Sequence, residues 1–362
     1  MKPGPFWCAA ALLCACDGPV SKPDEGGEWS AIPNAYAKHF EFQTRGRERR
    51  VLVFGPNGRS DTSAVITSRS GLEMDPMTVP LDRVAVVSTT HLPFFEALGS
   101  SGTVIGVAHT RALRPGVFRD QVAKGNTVEI SRADGLDKER LIALGPQALF
   151  NYPFGRSIAT EAASIPMIPV TEYLEQHPLG RAEWIRFFGH FLGKEDRADS
   201  IFRAIEHRYG TIKDLDDGLE EGPFVCFGSN WEKNWFAPPG NSYMATLITD
   251  AGGRYWFADS TSSGNIAVPL ERLLVMGRSA RHFGAVLEAD GEVDMLRLAG
   301  GDPRIAELDA VRQGGFIANS AVSDIFGTAL LEPDVILRDL RCIFRPGTCG
   351  TYRPSYFFPL AQ

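Results

Sequence analysis

The side chains best suited to chemistry are scattered along this chain. It holds seven histidines and six cysteines in 362 residues, and the histidines show no metal-ligand spacing such as His-Glu-x-x-His. The stretch "GNSYM" (240–244) offers a serine but lacks the second glycine of a nucleophile elbow. No glycine-rich phosphate loop is present either. The pattern points to binding and away from catalysis. His91 and His109 each follow an apolar strand, so the pair could share a metal or a haem iron; each also suits an ordinary loop position. Cys226, in "PFVCFG", has the setting of a buried strand thiol. Cys342 and Cys349 flank "IFRPGT", whose Pro-Gly step can turn the chain back on itself.

Such residues need a scaffold, and the hydrophobic pattern supplies one. Residues 36–80 carry strand-like pieces ("HFEFQT", "RRVLVFG", "SAVITS") between polar turns, which predicts a small β extension. From 81 to 178 unbroken apolar strands ("RVAVVS", "TVIGVA", "QALFNY", "IPMIPVT") alternate with helices ("LPFFEALG", "KERLIALG"). Such alternation predicts a mainly parallel sheet covered by helices on both faces. Residues 179–217 are helical throughout: "RAEWIRFFGHFLG" stops at Gly193, and a longer helix follows with Ala198, Ile201, Phe202, Ile205 and Tyr209 on one stripe. Alternation resumes over 218–362. The fold class is α/β: two lobes, each with a central mainly parallel sheet, joined by one long rigid helix.

In open α/β lobes, ligands bind beyond the carboxyl ends of the strands. That rule nominates Thr89, Thr90, His91, His109, Arg111, Asn151 and Tyr152 in the first lobe. In the second it nominates Asn230, Trp231, Lys233, Trp235, Tyr243 and Asn319. Aromatic faces with a few polar and cationic groups suit a bulky metal chelate carrying carboxylates or catecholates. Trp231 and Trp235 lie in "GSNWEKNWFAPPGNS", which reads as a polar loop.

A second feature is repetition. "KERLIALG" and "LERLLVMG" share one frame, with Glu139 and Glu271 in the first turn of two helices. A carboxylate there is stabilised by the helix dipole by ~0.3–1 kcal/mol. In two related lobes such helices would be equivalent.

The net charge is −7 and the pI about 5.6, so no basic field attracts nucleic acid. The N-terminus, "MKPGPFWCAAALLCACDG", has a lysine and then an apolar run. The run is shorter than the ~20 apolar residues of a membrane span and suits a signal peptide over 1–15. "LCAC" resembles a bacterial lipobox, which makes Cys16 the lipidated N-terminus; a plain cleaved signal is the alternative. Residues 16–35, rich in Gly and Pro, suit a flexible tether. Export to an oxidising compartment makes a Cys342–Cys349 disulfide the expected state.

Two lobes joined by a long helix, exported on a lipid anchor, resemble the substrate-binding proteins of ABC importers for iron–siderophores, haem and cobalamin. "RVAVVSTTHLPFFEALG", "ERLIALGPQALF", "NSYMATLITDAGG", "VPLERLLVMG" and "EPDVILRDLRCIFRP" carry the resemblance by their order and spacing. Departures are Gln147, where the family usually has Asp, and Arg345, where it has His. The resemblance implies a monomer in the cell envelope, anchored on the periplasmic side, that captures an iron(III) chelate and delivers it to a permease dimer. It implies no covalent cofactor and no resident metal, and leaves haem and cobalamin open as ligands. It also implies that Glu139 and Glu271 dock against permease arginines. The competing class is a surface-anchored hydrolase, which the lack of a nucleophile–base motif disfavours.

Overall fold

The computed structural model describes residues 28–46, 48–68, 77–133, 135–152, 165–215, 221–231, 234–286, 302–319 and 323–359. The expected signal peptide, most of the tether, Cys16 and Lys233 lie outside the described residues.

The first layer is a five-stranded sheet in the order β1-β2-β3-β4-β5, formed by Ser30–Ile32, Phe40–Arg45, Glu48–Gly55, Gly58–Ser68 and Met77–Thr78. It begins within the stretch expected to be tether. Phe40, Phe42, Val51 and Val53 alternate onto its inner face and are buried, as a half-buried strand requires. That face covers helix α4 (Pro178–Leu192). Thirteen of the fifteen α4 residues are buried, so the helix must be covered on all sides. Two carboxylates fix the sheet to it. Glu183, fully buried, accepts the backbone N–H groups of Ala35, Tyr36 and Ala37 at 2.7–2.9 Å. Glu175 accepts from Lys38, His39 and the Trp184 indole at 2.9–3.0 Å.

The N-terminal lobe is built on β6 (Val84–Val86), β7 (Val104–Val107), β8 (Val128–Glu129), β11 (Ala148–Asn151) and β12 (Met167–Pro169). All pair in parallel, in the order β12-β11-β6-β7-β8. A two-residue ladder between β9 (Ser131–Arg132) and β10 (Gly135–Leu136) caps one corner. Helices α1 (Leu92–Ala97), α2 (Val117–Ala123) and α3 (Lys138–Leu144) connect the strands.

The C-terminal lobe centres on β13 (Phe224–Trp231), flanked in parallel by β15 (Arg254–Tyr255) and β17 (His282–Ala285), with β18 (Phe316–Asn319) beyond β17. Antiparallel strands complete it: β19 (Phe357–Pro359) on β18, and β14 (Asn234–Ala237) with β16 (Ile266–Val268) on the far end of β13. Its longer helices are α6 (Tyr243–Asp250), α7 (Leu270–Gly277) and α8 (Pro333–Phe344).

The spine between the lobes is α5 (Glu195–Lys213). Gly193, at φ +62°, adopts the left-handed conformation that ends α4. A methyl group on Gly189 would fall 2.6 Å from the Ala198 Cβ, so glycine lets α4 and α5 pack backbone to backbone. At its other end α5 holds the second lobe through Tyr209–Asp250 at 2.7 Å, Lys213–Asp250 at 3.0 Å and Arg208–Asp334 at 2.5 Å. One hydrophobic core runs from the N-terminal sheet through both lobes. Cys342 and Cys349 form a disulfide, with Cα atoms 5.6 Å apart, which closes the turn after α8.

Candidate functional site: the interlobe cleft

A cleft of about 680 Å3 opens between the lobes, where β6, β7 and β18 end. Three chain segments form its walls. Thr89 and Thr90 follow β6 and lead into α1, where Pro93 and Glu96 also line the space. Residues 112–118 follow β7 and supply Leu113, Arg114 and Phe118. From the other lobe come Asp324, Phe326 and Thr328. Phe326 is half exposed, at 50%, the kind of open aromatic face a planar or apolar guest can cover.

Local hydrogen bonding holds these loops. Ser88 accepts the Thr90 N–H at 3.3 Å and lies 2.8 Å from the Thr90 hydroxyl, a short side-chain cap on the turn. The Thr90 hydroxyl donates to buried Glu172 at 3.1 Å. Burial pushes the Glu172 carboxyl up, but the facing His91 ring, the Thr90 hydroxyl and Arg181 outweigh it, so the net shift is down. Beyond β7, His109 has φ +59°, a strained conformation for a residue with a side chain. Glu129, at the end of β8, compensates by accepting the N–H groups of His109 at 2.8 Å and Thr110 at 2.7 Å, together with the Thr110 and Ser131 hydroxyls. Burial raises this carboxyl too, yet the four donors bring it down to about 2. Asp324 caps the turn that bears Thr328, accepting its N–H at 2.8 Å and its hydroxyl at 3.0 Å. Arg114 Nε lies 3.2 Å from Asp324 Oδ1, an ion pair that crosses from lobe to lobe.

Of the residues nominated from sequence, Thr89 and Thr90 line this space. His109 and Arg111 stand exposed beside it but outside the lining. Several nominations require correction. His91 is fully buried, 3.5 Å from Glu172 and packed on Phe188, so it faces the interior of its own lobe. It shares no site with exposed His109. Trp235 is 3% exposed and packs against Phe283 across a 5.0 Å centroid gap. The expected polar loop is a hairpin, β13 to β14, with Trp231 opposite Asn234, and it turns Trp235 into the core. Asn319 is 2% exposed, tied into the sheet where it pairs with Phe357. Asn151 is likewise buried at the end of β11. Tyr152 packs, half-buried, on a small apolar cluster of the first lobe. Tyr243 lies under the Arg181 guanidinium at 4.2 Å, and Arg181 donates to the Glu175 and Tyr173 carbonyls at 3.2 and 3.1 Å. That places Tyr243 at the junction of the lobes. Burial pushes its hydroxyl up to about 12, against the pull of Arg181.

Sequence reasoning missed Arg114, Asp324, Phe326 and Glu129. The motif "RPG" at 114–116 signals a turn, but nothing in the sequence indicates that Asp324 faces it. Among the described residues no group of three or more His, Cys, Asp or Glu could hold a metal ion. No described helix is long and apolar enough to cross a membrane.

Glu139 and Glu271 occupy the first turns of α3 and α7, as their shared frame predicts. The Glu139 side chain is 89% exposed, with Arg132 at 3.5 Å, and Glu271 is exposed as well. Neither lines the cleft.

The family model for periplasmic binding proteins matches residues 84–280, more than half of the chain. The chain belongs to that family. As a periplasmic binding protein it is a binder of small molecules and not an enzyme. The match begins after the N-terminal sheet, which therefore lies outside it. An uncharacterized lipoprotein of Methanocaldococcus jannaschii is 24% identical over 355 residues, covering 94% of this chain and 81% of the relative. Two solved structures share the fold of this periplasmic binding protein. The triscatecholate siderophore binding protein of Bacillus subtilis, complexed with ferri-bacillibactin, superposes with a TM-score of 0.59 at 16% identity, covering 76% of this chain and 96% of that one. A periplasmic heme binding protein of Pseudomonas aeruginosa gives 0.57 at 18% identity, with coverage of 76% and 96%.

Proposed function

We propose that this periplasmic binding protein captures an iron(III)-siderophore-type chelate between its lobes and hands it to an ABC importer. The observation that carries the reading is the cleft itself: about 680 Å3, walled by both lobes at the ends of their strands. That volume falls within the usual ~300–1,000 Å3 of small-molecule sites. The similar proteins of B. subtilis and P. aeruginosa, named for a ferric siderophore and for haem, supply the ligand class. Haem or cobalamin delivery is the alternative within it.

Delivery requires a second contact. Glu139 and Glu271, exposed on one helix of each lobe, give two carboxylates on different lobes. Paired with bidentate arginines of a permease dimer, they would fix the orientation of docking. The lipobox-like sequence before Cys16 supplies a membrane anchor, and the homologue named as a lipoprotein agrees with it.

Calorimetry against ferric siderophores, haem and cobalamin tests the ligand reading. Binding at micromolar or tighter affinity to a member of the panel is expected, and no binding to any of them would overturn it. Cys16→Ser should move the protein from the membrane to the soluble fraction.

A further inference from the structure

We infer that the cleft is built for a bulky chelate of little or no net charge, and that the Arg114–Asp324 pair sets this preference. The inference rests on the proposed reading of the cleft as the ligand site.

The charge inventory of the walls carries it. Among the described lining residues there are two acids, Glu96 and Asp324, and one arginine, Arg114. Counting exposed Arg111, which adjoins the lining at Ala112, the signs of the described residues only balance. The remaining described lining is neutral: threonines and an apolar set that includes Leu92, Pro93, Leu113, Val117 and Phe326. The sequence suggests aromatic faces with a few polar and cationic groups, fit for carboxylates or catecholates; among the described lining residues the only cation is Arg114.

The arginine that is present already faces a carboxylate, at 3.2 Å. That carboxylate is held in place, because Asp324 also caps the turn bearing Thr328. A polyanionic guest must therefore share Arg114 with Asp324 and lie close to Glu96, an arrangement with uncompensated like charges. A neutral guest covers Phe326 and the apolar walls and leaves the interlobe pair intact. Burial of apolar surface drives its binding without a charge to desolvate.

The test uses the full mature chain and probes of known charge. An uncharged ferric trihydroxamate and cyanocobalamin are compared by calorimetry with a polyanionic ferric tris-catecholate and with haem, which carries two propionates. The uncharged probes should bind about tenfold tighter or more, a few-charge effect at partly solvated distances. Tighter binding of the tris-catecholate would overturn this inference while leaving the ligand-site reading in place. Failure of all probes would overturn both.

Asp324→Asn keeps a side-chain carbonyl for the Thr328 N–H and removes the charge. The ratio of tris-catecholate to trihydroxamate affinity should rise about tenfold, and less at high salt. Glu96→Gln, on the exposed face of α1, should move the ratio in the same direction without touching the interlobe pair. An unchanged ratio in both variants would overturn the inference.

Discussion

In the N-terminal lobe the first strand, β6, stops at Val86, and the chain turns at once into Thr89 and Thr90 on the cleft wall. In the C-terminal lobe the first strand, β13, runs on to Trp231 and doubles back as β14. The same rule, that residues after a strand face the ligand, therefore holds after β6 and fails after β13. Asn230, near the end of β13, stays outside the cleft lining, and the hairpin turns Trp235 onto Phe283. A methyl on Gly228 would meet the Trp235 Nε1 at 2.4 Å, so the indole lies directly against the strand that the hairpin extends. The C-terminal lobe reaches the ligand space instead from β18, through Phe326.

The largest effect expected from this contrast is on stability. Trp235→Ala should cost about 3–5 kcal/mol, the range for a large core aromatic, and leave the affinity of the folded protein for its chelate unchanged. Denaturant melts and calorimetry on the same samples check both halves. A variant that stays stable and loses binding would return Trp235 to the cleft.

Acid should separate the lobes next. His282, at the start of β17, is pushed down by burial to about 4, against hydrogen bonding to the Gly315 backbone. An unfolded imidazole takes up its proton near 6.5. Folded His282 resists until about 4, so protons favour unfolding across that window. Its stabilising contribution is complete above pH 6.5 and lost as pH falls to 4. Glu129 behaves differently. With its carboxyl down at about 2 against an ordinary 4.5, its contribution is present above 4.5 and lost only as pH falls toward 2. Hydrogen exchange between pH 6.5 and 4.5 should show the C-terminal sheet loosening while the loop at 109–112 stays protected. His282→Gln should flatten the stability slope in that window, and an unaltered slope would count against this assignment.

A smaller effect is expected from the cleft aromatic. Phe326→Ala should weaken chelate binding about tenfold, ~1.4 kcal/mol, and change stability by less than about 1 kcal/mol, because half of the side chain is already in solvent. Together with Trp235→Ala it forms a crossed pair: one variant moves stability alone, the other affinity alone.

The smallest effect on the isolated protein should come from Glu139→Gln with Glu271→Gln. Dipole terms of ~0.3–1 kcal/mol each bound the stability change, and chelate affinity should stay within a few-fold. Uptake through a reconstituted importer should fall sharply, because permease arginines would lose their partners. Intact uptake would remove the docking reading and leave the two glutamates as helix-dipole partners.

Much of the architecture was legible because it is written locally. Unbroken apolar runs mark strands buried on both faces, and Gly145 and Gly193 mark helix ends where the backbone needs positive φ. The buried stripe of Ala198, Phe202, Ile205 and Tyr209 marks the one face of α5 that meets both lobes. Cys342 and Cys349 lie close in sequence around a Pro-Gly turn, so their pairing needed little tertiary information. The matched first turns that carry Glu139 and Glu271 were equally visible, since helix starts depend on neighbouring residues.

The walls of the cleft were decided by tertiary structure alone. Arg114 and Asp324 come from different lobes, and the packing of the turn at 328–331 on α1 and α4 helps bring them within reach of each other. His91 and Thr90 are adjacent in sequence, yet one turn of chain sends the imidazole inward to Glu172 and leaves the threonine on the cleft wall. Trp235 turned inward because β13 was longer than the apolar run that announced it. Side-chain direction at a strand end depends on where the strand stops and what lies above it, and neither quantity is carried by the residue types themselves.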